Sequence, residues 1–355
     1  MRCKVMSKIT LRTLAVSCGV SAATVSRALS GHPNVRPAVR TRVQAAAQAQ
    51  GYAPNQLVGS VMAHVRAART QTFHGNLAIV FVPSAEQSQP MPMQVKMIAS
   101  AEVRARELGF TLGSFRLDPP QLTAEILGRV LRARGVQGVV FIHPRQLTTI
   151  DQFPFAHFAS VAIDYASPTM VQHSVSIDHY ATLSSALNRL QGLGYTQVGL
   201  FIEGHKDERI MFKWTAAFRS YQEARGGIGR IPVLKLEKMT APKFLAWHRQ
   251  HRPDLVVGHV DKAVAWLRSA GCGVPSHTGY FNLNWNERTR PCAGLELRPE
   301  LQGRVAVESL VAQIHRNERG LPSDPQTITL RGEWVDGPTI RSLLRAAAEP
   351  RAQRK

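Results

Sequence analysis

The segment Ile9–Leu29, ITLRTLAVSCGVSAATVSRAL, constrains this chain more tightly than any other, because its spacing fits two short helices joined by a tight turn. Leu11, Leu14 and Ala15 fall at i, i+3 and i+4 and form the inner face of the first helix. Gly19 permits a sharp turn, and Val20 is placed to plug the angle between the helices. Ser21 stands where the second helix needs an N-cap, and the inner face of that helix is Val25, Ala28 and Leu29. The opposite face, Ala22, Ala23, Ser26 and Arg27, is small and cationic, which suits a helix lying in a major groove. Taken alone, the pattern also fits a helical hairpin that only packs.

Charge separates the two readings. The first acidic residue is Glu86, and before it stand Lys4, Lys8, Arg12, Arg27, Arg36, Arg40, Arg42, Arg66 and Arg69. A surface without carboxylates gathers phosphate through counterion release, whatever the base sequence. An ordinary solvated helix face mixes signs. The segment is expected to bind nucleic acid, and double-stranded DNA in particular.

The run GVSAATVSRALSGHPNV, the arginine-rich helix Pro37–Gln50 and the exit GYAPN together resemble the DNA-binding headpiece of LacI/GalR-type transcription regulators. The order of the remaining segments is similar to that family along nearly the whole chain. His315–Pro322 (HRNERGLP) and Trp334–Thr339 (WVDGPT) resemble one subgroup of it. The resemblance implies an all-α helix-turn-helix headpiece with a hinge helix. An α/β two-lobed body of the periplasmic-binding-protein-like (type I) fold, with parallel sheets, would follow.

By the same resemblance the second helix enters the major groove, with Arg27 reading a base and Ala22 and Ala23 offering methyl groups. A bidentate arginine–guanine contact gives about 1–3 kcal/mol of discrimination; a phosphate contact is the alternative for Arg27. Ser21, Thr24, Asn34 and Tyr52 are expected on phosphates, where they set register without reading sequence. Residues 55–67 are expected to form the hinge helix. Val61, with Met62 beside it, matches the apolar wedge that opens a central base step in the minor groove. Gly59 lowers helix propensity there by about 1 kcal/mol, so the hinge would depend on DNA and on the dimer. A plain linker is the alternative.

From Asn76 onward buried-strand runs alternate with amphipathic helices, which argues for parallel sheets covered on both faces. Strands are expected at 77–82, 138–142, 159–163, 198–202, 255–258, 280–283 and near 327–330. Helices are expected at 93–108, 122–134, 179–193, 208–224, 242–250, 262–270 and 300–317. So many strands exceed one comfortable sheet and suggest two similar lobes. The expected organisation is a headpiece at 1–54 (1–8 flexible), hinge and linker at 55–75, a body at 76–340 and a basic tail at 341–355. Within the body, lobe 1 takes 76–165 and 296–320, and lobe 2 takes 175–290 and 326–340.

An enzyme is not expected. The glycines of Gly192–Gly199 sit between a helix and the next strand, the wrong place for a dinucleotide loop, and there is no Walker A, HExxH or GxSxG sequence. Cys3, Cys18, Cys272 and Cys292 are scattered without close ligand pairs, so neither metal nor cofactor is expected, and His277 does not complete a site. Scattered cysteines, the absence of a run near the roughly 18 apolar residues of a membrane span, and residues 1–10 without a signal-peptide core point to the cytoplasm. Cys18 is expected in a small buried slot of the headpiece.

An effector is expected at the carboxyl ends of the strands, where loops present polar groups. Arg209 and Lys213, four apart, would point from one helix face into the cleft, Lys213 standing where relatives carry an effector-bonding arginine. Asn284 matches a position commonly held by an aspartate that pairs sugar hydroxyls, and Trp285 would stack on a pyranose face. Ser84 and His143, at the ends of first-lobe strands, complete the candidates; a packing or surface role is the alternative for each. A sugar or sugar derivative follows from family habit alone. The apolar excess of 300–317 (Leu301, Val305, Val307, Leu310, Val311 and Ile314) suggests a dimer interface, which a palindromic operator requires. The expected function is a DNA-binding transcription regulator, a repressor, controlled allosterically by a small molecule. The rival is an architectural DNA-bending protein that senses nothing, which the net charge of +20 permits.

Overall fold

Gly19 takes the left-handed conformation (φ +62°) that the tight turn demands, and Val20 N–H closes the turn on the Ala15 carbonyl at 3.1 Å. The computed structural model describes residues 11–29, 35–50, 73–83, 88–142, 150, 152–163, 172–224, 230–286 and 291–344. Three headpiece helices result: α1 (Leu11–Cys18), α2 (Ala22–Leu29) and α3 (Pro37–Ala49). Leu14, Ala15, Cys18, Val25, Ala28, Val35, Val43 and Ala47 are buried together as one small core, with Val20 packed against it. Burying a valine or leucine gives about 1.5–3 kcal/mol, so a core this small leaves little reserve. Gln50 Nε2 donates to Ser17 Oγ at 3.2 Å and ties the end of α3 to α1.

The body holds two six-stranded sheets. The first is built from β1 (Gly75–Phe81), β2 (Phe110–Arg116), β3 (Val136–Ile142), β4 (Ala159–Ile163), β5 (His173–Ile177) and β11 (Thr327–Leu330), in the order β11-β5-β4-β3-β1-β2. Every pairing in it is parallel. Residues 77–81, 138–142 and 159–163 are buried throughout, as strands covered on both faces must be. On one face lie α4 (Pro92–Glu107) and α11 (Pro299–Arg316); on the other lie α5 (Ala124–Ala133) and a cluster of Phe141, Phe153, Phe155 and Phe158.

The second sheet contains β6 (Val198–Glu203), β7 (Leu234–Leu236), β8 (Leu255–Gly258), β9 (Gly279–Asn282), β10 (Ala293–Glu296) and β12 (Glu333–Val335). Its order is β12-β10-β9-β8-β6-β7, and β12 alone runs antiparallel to its neighbour. Helices α6 (His179–Gly192) and α8 (Lys213–Glu223) cover one face, and α9 (Ala241–His251) and α10 (Ala263–Ser269) the other. The short α7 (Gly204–Glu208) follows β6.

The chain passes between lobes three times, after β5, after β10 and after β11. The crossings are stitched to one another: Asp178 N–H donates to the Leu330 carbonyl at 2.8 Å, and Gly332 N–H to Thr182 Oγ1 at 3.1 Å. Arg298 pairs with Glu333 at 3.1 Å. Three strands side by side bend together and twist poorly, which is the geometry of a hinge.

Four expectations are corrected. The strand at 327–330, assigned above to lobe 2, pairs in parallel with β5 and completes the first sheet; only β12 continues into the second. The boundary at 175 moves, because β5 runs to Ile177 inside the first sheet. The expected helix 208–224 is broken, since Met211 and Phe212 both take positive φ (55° and 58°) between α7 and α8. The cause is the buried Asp207 carboxylate, which accepts from both the N–H (3.3 Å) and the hydroxyl of Thr215. A continuous helix would carry Thr215 away and leave that carboxylate without these donors. Finally, the apolar excess of α11 is turned into its own lobe, where Ala306, Val307, Leu310 and Val311 pack on the first sheet and α4.

The two C-terminal motifs brace the body. In HRNERGLP, Asn317 ends α11 in the left-handed conformation, Arg319 Nη1 donates to the His157 carbonyl at 2.8 Å, and Arg316 grips Glu318 at 2.8 Å. In WVDGPT, a Cβ on Gly337 would lie 2.2 Å from the Cys292 carbonyl carbon, so only glycine permits this approach. Thr339 Oγ1 accepts from Ala293 N–H (2.9 Å) and donates to the Tyr280 carbonyl (2.7 Å), clamping β9 to β10.

Candidate nucleic-acid interface and interlobe cavity

Ser21 Oγ accepts the Thr24 N–H at 3.1 Å, the N-cap that the sequence placed there. The hydroxyls of Ser21 and Thr24 also meet, 2.8 Å apart, at the positive end of α2. Val25 and Ala28 are buried, so positions 22, 23, 26 and 27 occupy the opposite arc of α2. Arg36 and Arg42 are exposed on and beside α3. The side chains of Ala22, Ala23 and Arg27 lie outside the described residues, as do Asn34, Tyr52, Val61, Met62 and the whole expected hinge.

A cavity of about 390 Å³ opens between the lobes. Lobe 1 contributes Met91, Pro92, Met93 and Lys96 from the start of α4, and Pro299 from the start of α11. Lobe 2 contributes Lys206, Arg209, Ile210 and Trp214 along α7 and α8, His259 after β8, and Leu283–Asn286 after β9. His179, Glu296 and Leu297 enter from two of the crossings. Every wall lies at the carboxyl ends of strands or the amino ends of helices, where an open α/β sheet binds ligands.

The cavity's histidines are held neutral. His179 Nδ1 lies 2.9 Å from the Ile177 carbonyl and so must donate, which leaves Nε2 as an acceptor. Burial lowers its pKa to about 3, and Lys213 and Arg209 act in the same direction. Burial also lowers His259, to about 4. Glu203 sits just behind the wall, held well below the usual carboxylate range by His259, by Lys206 at 2.8 Å and by the Met239 N–H at 3.0 Å.

Among the expected effector residues, the structure brings Arg209, Asn284 and Trp285 together in this wall. Lys213 lies outside the lining, and Trp214 takes the place expected for it. The bend at Met211–Phe212 is the reason: Arg209 caps α7 while Lys213 opens α8, so the two share no helix face. Trp285 offers ring surface only, because its indole N–H is committed to the Cys292 carbonyl at 3.1 Å. Ser84 and His143 lie outside the described residues. His179, Lys206, Trp214, His259, Glu296 and the methionines at the start of α4 were not anticipated. Asp178-His179 directly after a buried strand was the available signal, since a polar pair there falls at a strand's carboxyl end. Among the described residues, no group of three or more His, Cys, Asp or Glu side chains is arranged to hold a metal, and no helix is long and apolar enough to cross a membrane.

Residues 10–55 match the family model described as bacterial regulatory proteins, lacI family. The chain is 28% identical over 231 residues to the HTH-type transcriptional regulator reg1 of Streptomyces lividans, a match covering 63% of this chain and 62% of reg1. It therefore spans about three fifths of the length of that curated relative. Two solved structures share the fold: a transcriptional regulator CelR–cellobiose complex and the lac repressor dimer bound to operator and an anti-inducer. The first is 20% identical, with a TM-score of 0.55 over 94% of this chain and 100% of the other. The second is 18% identical, with a TM-score of 0.55 over 94% and 99%.

Proposed function

We propose that this chain, with its lacI-family headpiece and two-lobed body, is a cytoplasmic transcription repressor that binds a palindromic operator as a homodimer. Its operator affinity responds to a small molecule held between the lobes. The observation that carries the reading is the coupling of an acid-free helix-turn-helix to a body whose cavity has walls from both lobes and from the crossings. A ligand touching both lobes stabilises one hinge angle over another. If the two angles differ in how they present the headpieces, binding at the cavity changes DNA affinity by linkage, typically by about 1–3 kcal/mol.

In the headpiece, Arg27 reads a base, Ala22 and Ala23 border it, and Ser21, Thr24, Asn34 and Tyr52 hold phosphates. Val61 and Met62 enter the minor groove from the hinge. In the body, Arg209, Asn284, Trp285 and Trp214 contact the effector. With α11 turned inward, the dimer contact falls to α4, where Val95 and Val103 are 52% and 46% exposed two turns apart along one stripe. The cellobiose bound by the CelR structure supports a sugar-sized effector for this cavity.

Selection of bound fragments from a random DNA pool by the purified chain, near physiological salt, tests the reading. A palindrome with a flexible central step is expected, and its recovery should fail with Arg27→Ala. Recovery of bulk DNA without a motif, with or without added sugars, would favour the architectural alternative and overturn the proposal.

A further inference from the structure

The charge and dipole arrangement around the cavity bears on the chemistry of its ligand. Four helices begin there: His179 is the first residue of α6, Trp214 the second of α8, Pro299 the first of α11, and Pro92 the first of α4. Each brings the positive end of its backbone dipole and unmatched N–H groups. No acidic residue occupies the first turn of α4, α6 or α8, although Asp178 caps α6 through the Ala181 N–H. The cations in the wall are Lys96, Lys206 and Arg209; Lys206 is matched by Glu203 at 2.8 Å and Lys96 by Glu300 at 3.1 Å. Lys213 stands behind the wall near His179. Glu296 is the one carboxylate of the lining, supplied by the crossing after β10. His259, buried in the wall, has its Nε2 3.8 Å from Glu203, beyond hydrogen-bond distance, and no other partner for that atom. The positive side of the cavity is thus the side of Arg209 and the starts of α6 and α8.

We propose that the ligand is an acidic polyol, a sugar-like frame bearing a carboxylate or a phosphate. Its oxyanion lies beside Arg209 at the starts of α6 and α8, and its hydroxyls face Glu296 and Asn284. Guanidinium and helix N-termini both favour an oxyanion, and Arg209 can grip two of its oxygens at once. Trp214 and Trp285 supply the apolar faces a sugar ring covers. This inference rests on the reading of the cavity as the effector site.

Calorimetric titration of the full-length chain with matched sets separates the possibilities: glucose, glucuronate and glucose 6-phosphate, and galactose, galacturonate and galactose 6-phosphate. At least one acid should bind about tenfold or more tightly than its neutral parent, a difference of about 1.4 kcal/mol. The preference should vanish in Arg209→Gln and shrink in Asn284→Asp, an exposed site where added charge leaves folding intact. The carboxylate and phosphate arms tell the two oxyanions apart. Neutral parents that bind as tightly as the acids, and lose binding in Trp214→Ala, overturn the charge assignment but leave the effector site standing. Binding indifferent to Arg209→Gln and Trp214→Ala alike overturns the effector site itself. Failure of every acid to bind overturns the inference.

Discussion

The His179 ring stands edge-on to Trp214, centroids 4.8 Å apart and planes at 86°. It joins the first crossing between the lobes to the wall of lobe 2. With Nδ1–H committed to the Ile177 carbonyl, the imidazole has one rotamer and one tautomer, and Nε2 is its remaining polar atom. A change in hinge angle at this crossing is therefore felt directly by the indole that lines the cavity.

Acid should weaken the body well before its carboxylates titrate. His179 and His259 have folded pKa values near 3 and 4, below the unfolded value of about 6.5. As pH falls below 6.5 the unfolded chain takes up these protons first, so stability drops by up to about 1.4 kcal/mol per unit for each histidine. Thermal melts should be flat above pH 7 and fall steeply between pH 6.5 and 4. His259→Asn should flatten part of that slope; an unchanged slope would show that the imidazole is not held neutral.

Thr339→Val removes a hydroxyl that serves two buried backbone groups, Ala293 N–H and the Tyr280 carbonyl. Leaving them unmatched should cost about 1–3 kcal/mol in urea unfolding. Thr339→Ser keeps the hydroxyl and should recover most of the loss. Equal losses in both variants would mean that packing of the methyl, not the clamp, matters.

Leu14→Ala hollows the small headpiece core, where Leu14 is fully buried. A loss of about 2–5 kcal/mol is typical of such a truncation and should unfold the headpiece alone. DNA binding should disappear while the melting of the body stays in place. Ser21→Ala, by removing the cap on Thr24 N–H, should cost about 1 kcal/mol and Ser21→Gly only a few tenths.

Met211→Gly has a sign that depends on the bend between α7 and α8. Met211 is 67% exposed at φ 55°, a conformation that costs a side-chain-bearing residue about 1–2 kcal/mol. Glycine relieves that cost and should raise stability by about 0.5–1 kcal/mol after its own chain entropy is counted. A loss of similar size in chemical denaturation would instead indicate a continuous helix through 208–224.

The headpiece was legible because all its signals are local. Leu14, Gly19, Ser21 and Val25 lie within one short stretch, and each constrains its neighbours through a helix turn, a left-handed residue or a cap. The alternation of strands and helices in the body was legible for the same reason, since burial on both faces leaves runs such as Val136–Ile142 almost wholly apolar. Strand membership was not. Thr327–Leu330 reads alike for either sheet, and its place beside β5 depends on a pairing with residues about 150 positions earlier. The cavity is more remote still from any local pattern, because Met91, His179, Trp214 and Glu296 meet only when three crossings bring two separately folded lobes face to face. Helix periodicity placed Arg209 and Lys213 on one face. A buried carboxylate at Asp207 needing Thr215 outweighed that periodicity, since the desolvation of an unmatched charge costs more than two residues of backbone strain. Short-range chemistry was thus sufficient to specify a DNA-reading module and an α/β body. Long-range packing alone set the hinge, the bend and the identity of the side chains that face the ligand.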